Sequence, residues 1–144
     1  MTSHNTQWSS ASLLLERFTT TPVSYTHLRI APELPVTDLN NSIEYYKQKL
    51  GFKVVGQMPA GDYAIVERDD VAIHLFKEDG RSFSPVGIHI FTESLDELHA
   101  ELQERGAHVS QGIIRKPWGN RDFRVNDDSG NEIKFTEPLT QEDE

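Results

Sequence analysis

The sequence predicts an α+β fold in which the order β-α-β-β-β occurs twice. Two observations carry that reading. The apolar period switches between 2 and 3.6 in the same order in each half of the chain, and each helical stretch ends on a glycine, Gly51 and then Gly106, roughly 55 residues apart. A third supports it. The 144 residues contain no cysteine, and a chain of this length buries enough surface to be stable without disulfides or structural zinc.

Residues 1–24 are rich in Ser, Thr and Asn without sustained periodicity, so they read as a flexible leader, with one helical turn at 11–18. A single domain is expected over 25–140, built of modules at about 25–80 and 86–138. Residues 27–36 form the first strand, which Pro32 and Pro35 confine to an edge. Thr37, Asp38, Asn40 and Asn41 supply capping chemistry for a helix with Ile43, Tyr46 and Leu50 on its apolar face, and Gly51 serves as its C′ residue. Strands follow at 52–56, 62–67 and 71–76, the last two joined by a two-residue turn at Asp69 and Asp70. A polar linker spans 78–85. In the second half, 86–92 is a strand, and 95–105 is a helix with Leu95, Leu98 and Leu102 on one face. Strands at 109–114, 121–126 and 131–136 complete the module, with a four-residue turn at 127–130 before the last.

The bulk composition excludes several functions. With 23 acidic and 14 basic residues the formal charge is -9, and a negative surface repels nucleic-acid phosphates. No run of 18 apolar residues exists to cross a membrane. The lack of cysteine removes thiol nucleophiles, zinc-thiolate sites and iron–sulfur clusters, and it fits a reducing cytoplasm. No P-loop, dinucleotide fingerprint or Ser-His-Asp triad is present. The run from Asp127 to Gly130 lacks the carboxylate pattern of an EF-hand and reads as a hairpin turn.

Residues 34–55 (LPVTDLNNSIEYYKQKLGFKVV), 62–76 (DYAIVERDDVAIHLF), 95–102 (LDELHAEL) and 117–135 (PWGNRDFRVNDDSGNEIKF) together resemble the glyoxalase/bleomycin-resistance family of the vicinal-oxygen-chelate superfamily. The similarity is greatest to its metal-free bleomycin-resistance type. The resemblance covers about 27–138. It implies that the two modules pair into a curved, cup-like mixed sheet with helices on the outer face and a ligand inside. It also implies a homodimer with cavities at or near the subunit interface.

Strand alternation then sorts residues between cup and helix layers. Glu33, Tyr63, Ile65, Glu67, Ala72, His74 and Phe76 face the cup in the first module. Gly87, His89, Phe91 and Lys134 do so in the second, with Phe123 opposite Lys134. The metal positions that the resemblance assigns fall on Ala31, His74, Gly87 and Lys134. Only His74 keeps ligand chemistry, because the Lys134 ammonium has no lone pair to give, and a catalytic ion normally takes three protein ligands. No metal or other cofactor is therefore expected. One alternative stays open: Glu33 and His89 lie two residues beyond Ala31 and Gly87 on the same face, roughly 6–7 Å along. With His74 they would make a Glu/His/His set suited to Zn²⁺, Fe²⁺ or Mn²⁺, while strand histidines are more commonly hydrogen-bonded than ligating.

The resemblance also places an aromatic, Trp118, near the cavity mouth for stacking on a planar or cationic ligand. Its ordinary reading is a Trp sealing the two modules. Tyr63, Phe91 and Phe123 could form an aromatic wall or simply pack. The expected ligand-binding set is thus Glu33, Tyr63, Ile65, His74, His89, Phe91, Trp118, Phe123 and Lys134. The expected activity is metal-independent sequestration of a small organic ligand, with a bleomycin-like antibiotic as candidate. The alternative is a metal-dependent lyase, isomerase or dioxygenase on the shifted site.

Overall fold

The computed structural model describes residues 28–78 and 84–138. The leader, with its expected helical turn, and the centre of the linker lie outside the described residues. The element order is β1 (Glu33–Val36), α1 (Leu39–Gln48), β2 (Lys53–Gln57), β3 (Tyr63–Arg68), β4 (Val71–Lys77), β5 (Gly87–Phe91), α2 (Leu95–Arg105), β6 (His108–Arg115), β7 (Arg121–Asn126) and β8 (Glu132–Thr136). The β-α-β-β-β plan is present twice. Most ends differ from expectation by a residue or so. The larger difference is β1, which begins at Glu33; Pro32 lacks an N–H to continue the ladder, and its carbonyl accepts the His74 N–H at 2.9 Å.

Each helix forms for local reasons. Asp38 caps α1 by accepting the Asn41 N–H at 3.0 Å. The helix ends at the C-cap Lys49, and Gly51 (φ 75°) follows two residues later, where an L side chain would be strained. Gly106 (φ 86°) is itself the C-cap of α2 and donates to the Leu102 and Gln103 carbonyls.

The strands make two four-stranded mixed sheets, ordered β1-β4-β3-β2 and β5-β8-β7-β6, each with one parallel pair and two antiparallel pairs. The sheets stay separate. Leu34, Val36, Ala64, Val66, Ile73 and Leu75 from the first, with Phe123, Val125, Ile133 and Phe135 from the second, join Tyr46, Leu95 and Leu102 of the helices in one hydrophobic cluster. Each sheet therefore has a helix-covered face and an open face outside that cluster, on which Ile65 and Ala72 of the first sheet are nonetheless buried.

Polar contacts tie the modules together. The Asn131 amide donates to the Pro35 carbonyl at 2.8 Å and to Asp127 at 2.9 Å, while its oxygen accepts the Val86 N–H at 2.9 Å. The buried Tyr46 hydroxyl donates to Asp127 at 2.8 Å, and Arg68 of β3 pairs with Glu101 of α2 at 2.7 Å.

Candidate functional site

The open face of the first sheet brings three of the expected site residues into direct contact. The register sets one row across the sheet: Glu33 beside His74, His74 beside Ile65, Ile65 beside Gly56. The Asp69–Asp70 turn pairs 65 with 74, as the two-residue loop predicts, and Asp69 takes a left-handed φ of 53° to close it. Tyr63, opposite Phe76 in the adjoining row, reaches diagonally back. Its hydroxyl lies 2.9 Å from Glu33 Oε2 and 2.6 Å from His74 Nδ1. A phenol has one proton. With that proton donated to the Glu33 carboxylate, His74 must supply the second bond from its own Nδ1–H. Its Nε2 is then a bare lone pair, and that buried atom has no partner among the described residues.

The protonation equilibria agree with this arrangement. Burial lowers the His74 pKa below the ordinary value, with the Glu33 charge opposing it, which favours a neutral ring. Burial and the bond to Glu33 push the Tyr63 phenol up to about 12. The face thus presents the Glu33 carboxylate, with the acceptor nitrogen of His74 buried beside it. That set suits a ligand bearing N–H or O–H donors or positive charge.

The second sheet carries the equivalent row with different chemistry. His89 stands beside Lys134, Lys134 beside Arg124, and Arg124 beside Gln111. Burial and the Lys134 and Arg124 charges lower the His89 pKa, against a smaller pull from Asp122. The next row runs Phe91, Thr136, Asp122, Ile114. Phe91 is 61% exposed and its ring lies 5.4 Å from that of His89. Asp122 is buried and accepts from Gln111 at 2.9 Å, with the Lys116 ammonium at 3.7 Å.

Two expectations change. Phe123 is not on this face. It pairs with Phe135, stacks on that ring at 5.1 Å and packs edge-on against His99 at 4.9 Å, fully buried in the helix layer. The reason is the length of the loop before β8. Asn131 closes it through its N–H to Asp127 Oδ1 and its carbonyl to the Asp127 N–H, so β8 starts at Glu132, and a one-residue shift turns every side chain over. Arg124 and Asp122 take the place expected for Phe123. Trp118 does not seal the modules either: it is 66% exposed in the turn between β6 and β7, at the tip held by the Lys116 and Gly119 hydrogen bonds.

The metal positions implied by the resemblance do not fit an ion. Ala31 and Gly87 have no donor atoms, Lys134 is a cation, and the carboxylate nearest Gly87, that of Glu132, faces Arg124 at 3.5 Å. The shifted set is not assembled within one chain. Glu33 and His74 meet each other and Tyr63, whereas His89 is on the other sheet, and no three His, Asp or Glu side chains converge among the described residues.

Comparisons with known proteins agree with this architecture. The bleomycin resistance protein of Geobacillus stearothermophilus is 29% identical over 131 residues, spanning 78% of this chain and 98% of that protein. Among solved structures, TioX from Micromonospora sp. ML1 superposes with a TM-score of 0.69 at 20% identity, over 78% of this chain and all of that one. Lactoylglutathione lyase from Agrobacterium tumefaciens does so with a TM-score of 0.64 at 16% identity, over 76% and 92%. At these identities the two structures show the fold alone. The family model described as Glyoxalase/Bleomycin resistance protein/Dioxygenase superfamily matches residues 25–135, and the chain belongs to that superfamily.

Proposed function

We propose that this chain binds and sequesters a small organic ligand of the bleomycin-like class, without a metal or other cofactor and without a covalent step. The observation that carries the reading is the pair of open faces. One offers the Glu33 carboxylate, which Tyr63 links to His74, whose unpartnered Nε2 is buried behind the face. The other offers an exposed Phe91 ring beside His89, flanked by the cationic Lys134. A partly aromatic, cationic ligand would stack on Phe91 and Trp118 and place donors toward Glu33 and His74. Curated relatives named bleomycin resistance proteins support the ligand class. The working unit in this reading is a cytoplasmic homodimer.

Calorimetric titration of metal-free bleomycin tests it. A saturable heat is expected, weakened about fivefold by Trp118→Ala, which corresponds to roughly 1 kcal/mol of stacking. Tyr63→Phe, which removes the hydroxyl linking Glu33 to His74, is expected to weaken binding without unfolding the protein. No heat up to millimolar ligand would remove the ligand class. One tightly held Zn, Fe or Mn ion per chain in protein purified without chelators would instead favour the metal-dependent lyase, isomerase or dioxygenase on Glu33, His74 and His89.

A further inference from the structure

The two modules also meet along a cleft of about 380 Å³ that shares only Phe91 with the strand rows just described. Pockets of that size take small organic ligands when an apolar floor is combined with a few placed polar groups. Here the floor is Leu50 and Phe52 from the first module and Ile90 and Leu98 from the second. All four belong to the shared hydrophobic cluster or pack on it, so the floor is preformed.

The rim is acidic. Asp69 and Asp70 reach the cleft from the β3–β4 turn, and Glu97 reaches it from the first turn of α2. None of these three has an ion-pair partner among the described residues. The fourth acid, Glu101, is already matched by Arg68 and Arg105, each at 2.7 Å. That leaves Arg68, the one basic residue among the described residues lining the cleft, committed to an internal pair. Three carboxylates are therefore uncompensated around an apolar floor.

Two further groups suit a positively charged guest. Phe91 lines the cleft with its ring largely exposed, and an aromatic face attracts a cation within about 6 Å of its centre. Ser94 is the N-cap of α2 yet makes no capping hydrogen bond with its side chain, so a hydroxyl acceptor stands on the same wall. The helix N-terminus would by itself favour an anion. Asp96 and Glu97 in its first turn oppose that preference.

We propose that this cleft is a binding site for an organic cation, an ammonium group carried on an aromatic or aliphatic body. The body rests on Leu50, Phe52, Ile90 and Leu98, and the charge sits among Asp69, Asp70 and Glu97. The site is independent of the ligand reading for the open faces, with Phe91 alone common to both.

The test follows backbone amide shifts by NMR in the full chain during titration with benzyltrimethylammonium, neutral benzyl alcohol and anionic phenylacetate. Saturable shifts at Asp70, Val71, Ser94 and Glu97 are expected for the cation, with the neutral and anionic probes at least tenfold weaker. Asp70→Asn combined with Glu97→Gln, both exposed positions, is expected to weaken the cation at least tenfold while the rest of the spectrum keeps its folded dispersion. His74→Gln, on the open face of the first sheet, is expected to leave it unchanged. The proposal is overturned by an absence of saturable shifts up to about 50 mM, roughly tenfold above the low-millimolar dissociation constant that a ligand of this size reaches, by equal binding of the three probes, or by shifts confined to Glu33, Ile65, His74, His89 and Lys134.

Discussion

His74 and His89 take adjacent places in the two versions of one row, yet their surroundings pull in opposite directions. The pair Glu33–His74 of the first sheet corresponds to the pair His89–Lys134 of the second. An acid therefore faces His74 and a base faces His89. Both pKa values nevertheless fall below the ordinary histidine value, because burial is the largest cause in each. A histidine depressed in the folded state is protonated more readily in the unfolded chain. On acidification through the ordinary histidine range, the unfolded state binds more protons and stability falls. The protein is thus expected to lose melting temperature between pH 7.5 and 5.5, and His74→Gln should flatten that slope more than His89→Gln, since His89 is the more exposed of the two. Identical slopes in wild type and both variants would show that these rings do not govern the acid side. Tyr63, Ile65 and His74 were legible as one face because a two-residue turn fixes register locally, and Glu33 joined them through the alternation of its own strand. Phe123 was not, since its face depends on where a longer loop ends.

That loop is the clearest case at the scale of the element. Read along the chain, Asp127 to Gly130 is a turn and nothing more. In the fold, the Asp127 carboxylate gathers the Ser129 and Asn131 N–H groups, the Asn131 amide and the Tyr46 hydroxyl of α1. Asn131, fully buried, uses both amide protons and its oxygen, two of those bonds reaching Pro35 in β1 and the Val86 N–H ahead of β5. The turn latches one module to the other. Capping residues and terminal glycines announce helices because their partners lie within a few positions, whereas Asn131 and Pro35 are 96 residues apart. Asn131→Ala leaves the Pro35 carbonyl and the Val86 N–H without these partners, and a buried group stranded in that way costs about 1–3 kcal/mol. Urea denaturation should show a loss of at least that size. A change under about 0.5 kcal/mol, the ordinary range for surface positions, would mean that water replaces the amide and no latch exists.

For the whole molecule, the repeat was legible in the switch between periods 2 and 3.6, but the distribution of exposed apolar surface was not. The second module carries Val86, Phe91, Ile114 and Trp118, exposed by 39, 61, 41 and 66%. Phe91 and Ile114 end a single row on its open face, with Thr136 and Asp122 between them. Apolar area removed from water favours association by about 25 cal/mol per Å², so this row is where the homodimer of the proposed function would make its contact. The charge of -9 on each copy opposes that step through long-range repulsion. Salt shortens the range of that repulsion to about 10 Å at 0.1 M while leaving apolar contacts intact, so dimerisation should tighten as ionic strength rises. Sedimentation equilibrium is expected to give twice the chain mass of 16.4 kDa, with the dimer favoured at 0.5 M over 0.05 M salt, conditions that bracket the screening range. Phe91→Glu adds a charge at one end of that row and should yield a folded monomer at both. A wild-type chain that stays monomeric at about 100 μM, a concentration that corresponds to roughly 5.5 kcal/mol of association, would leave the open faces to act singly; a dimer unmoved by Phe91→Glu would place the contact on another surface.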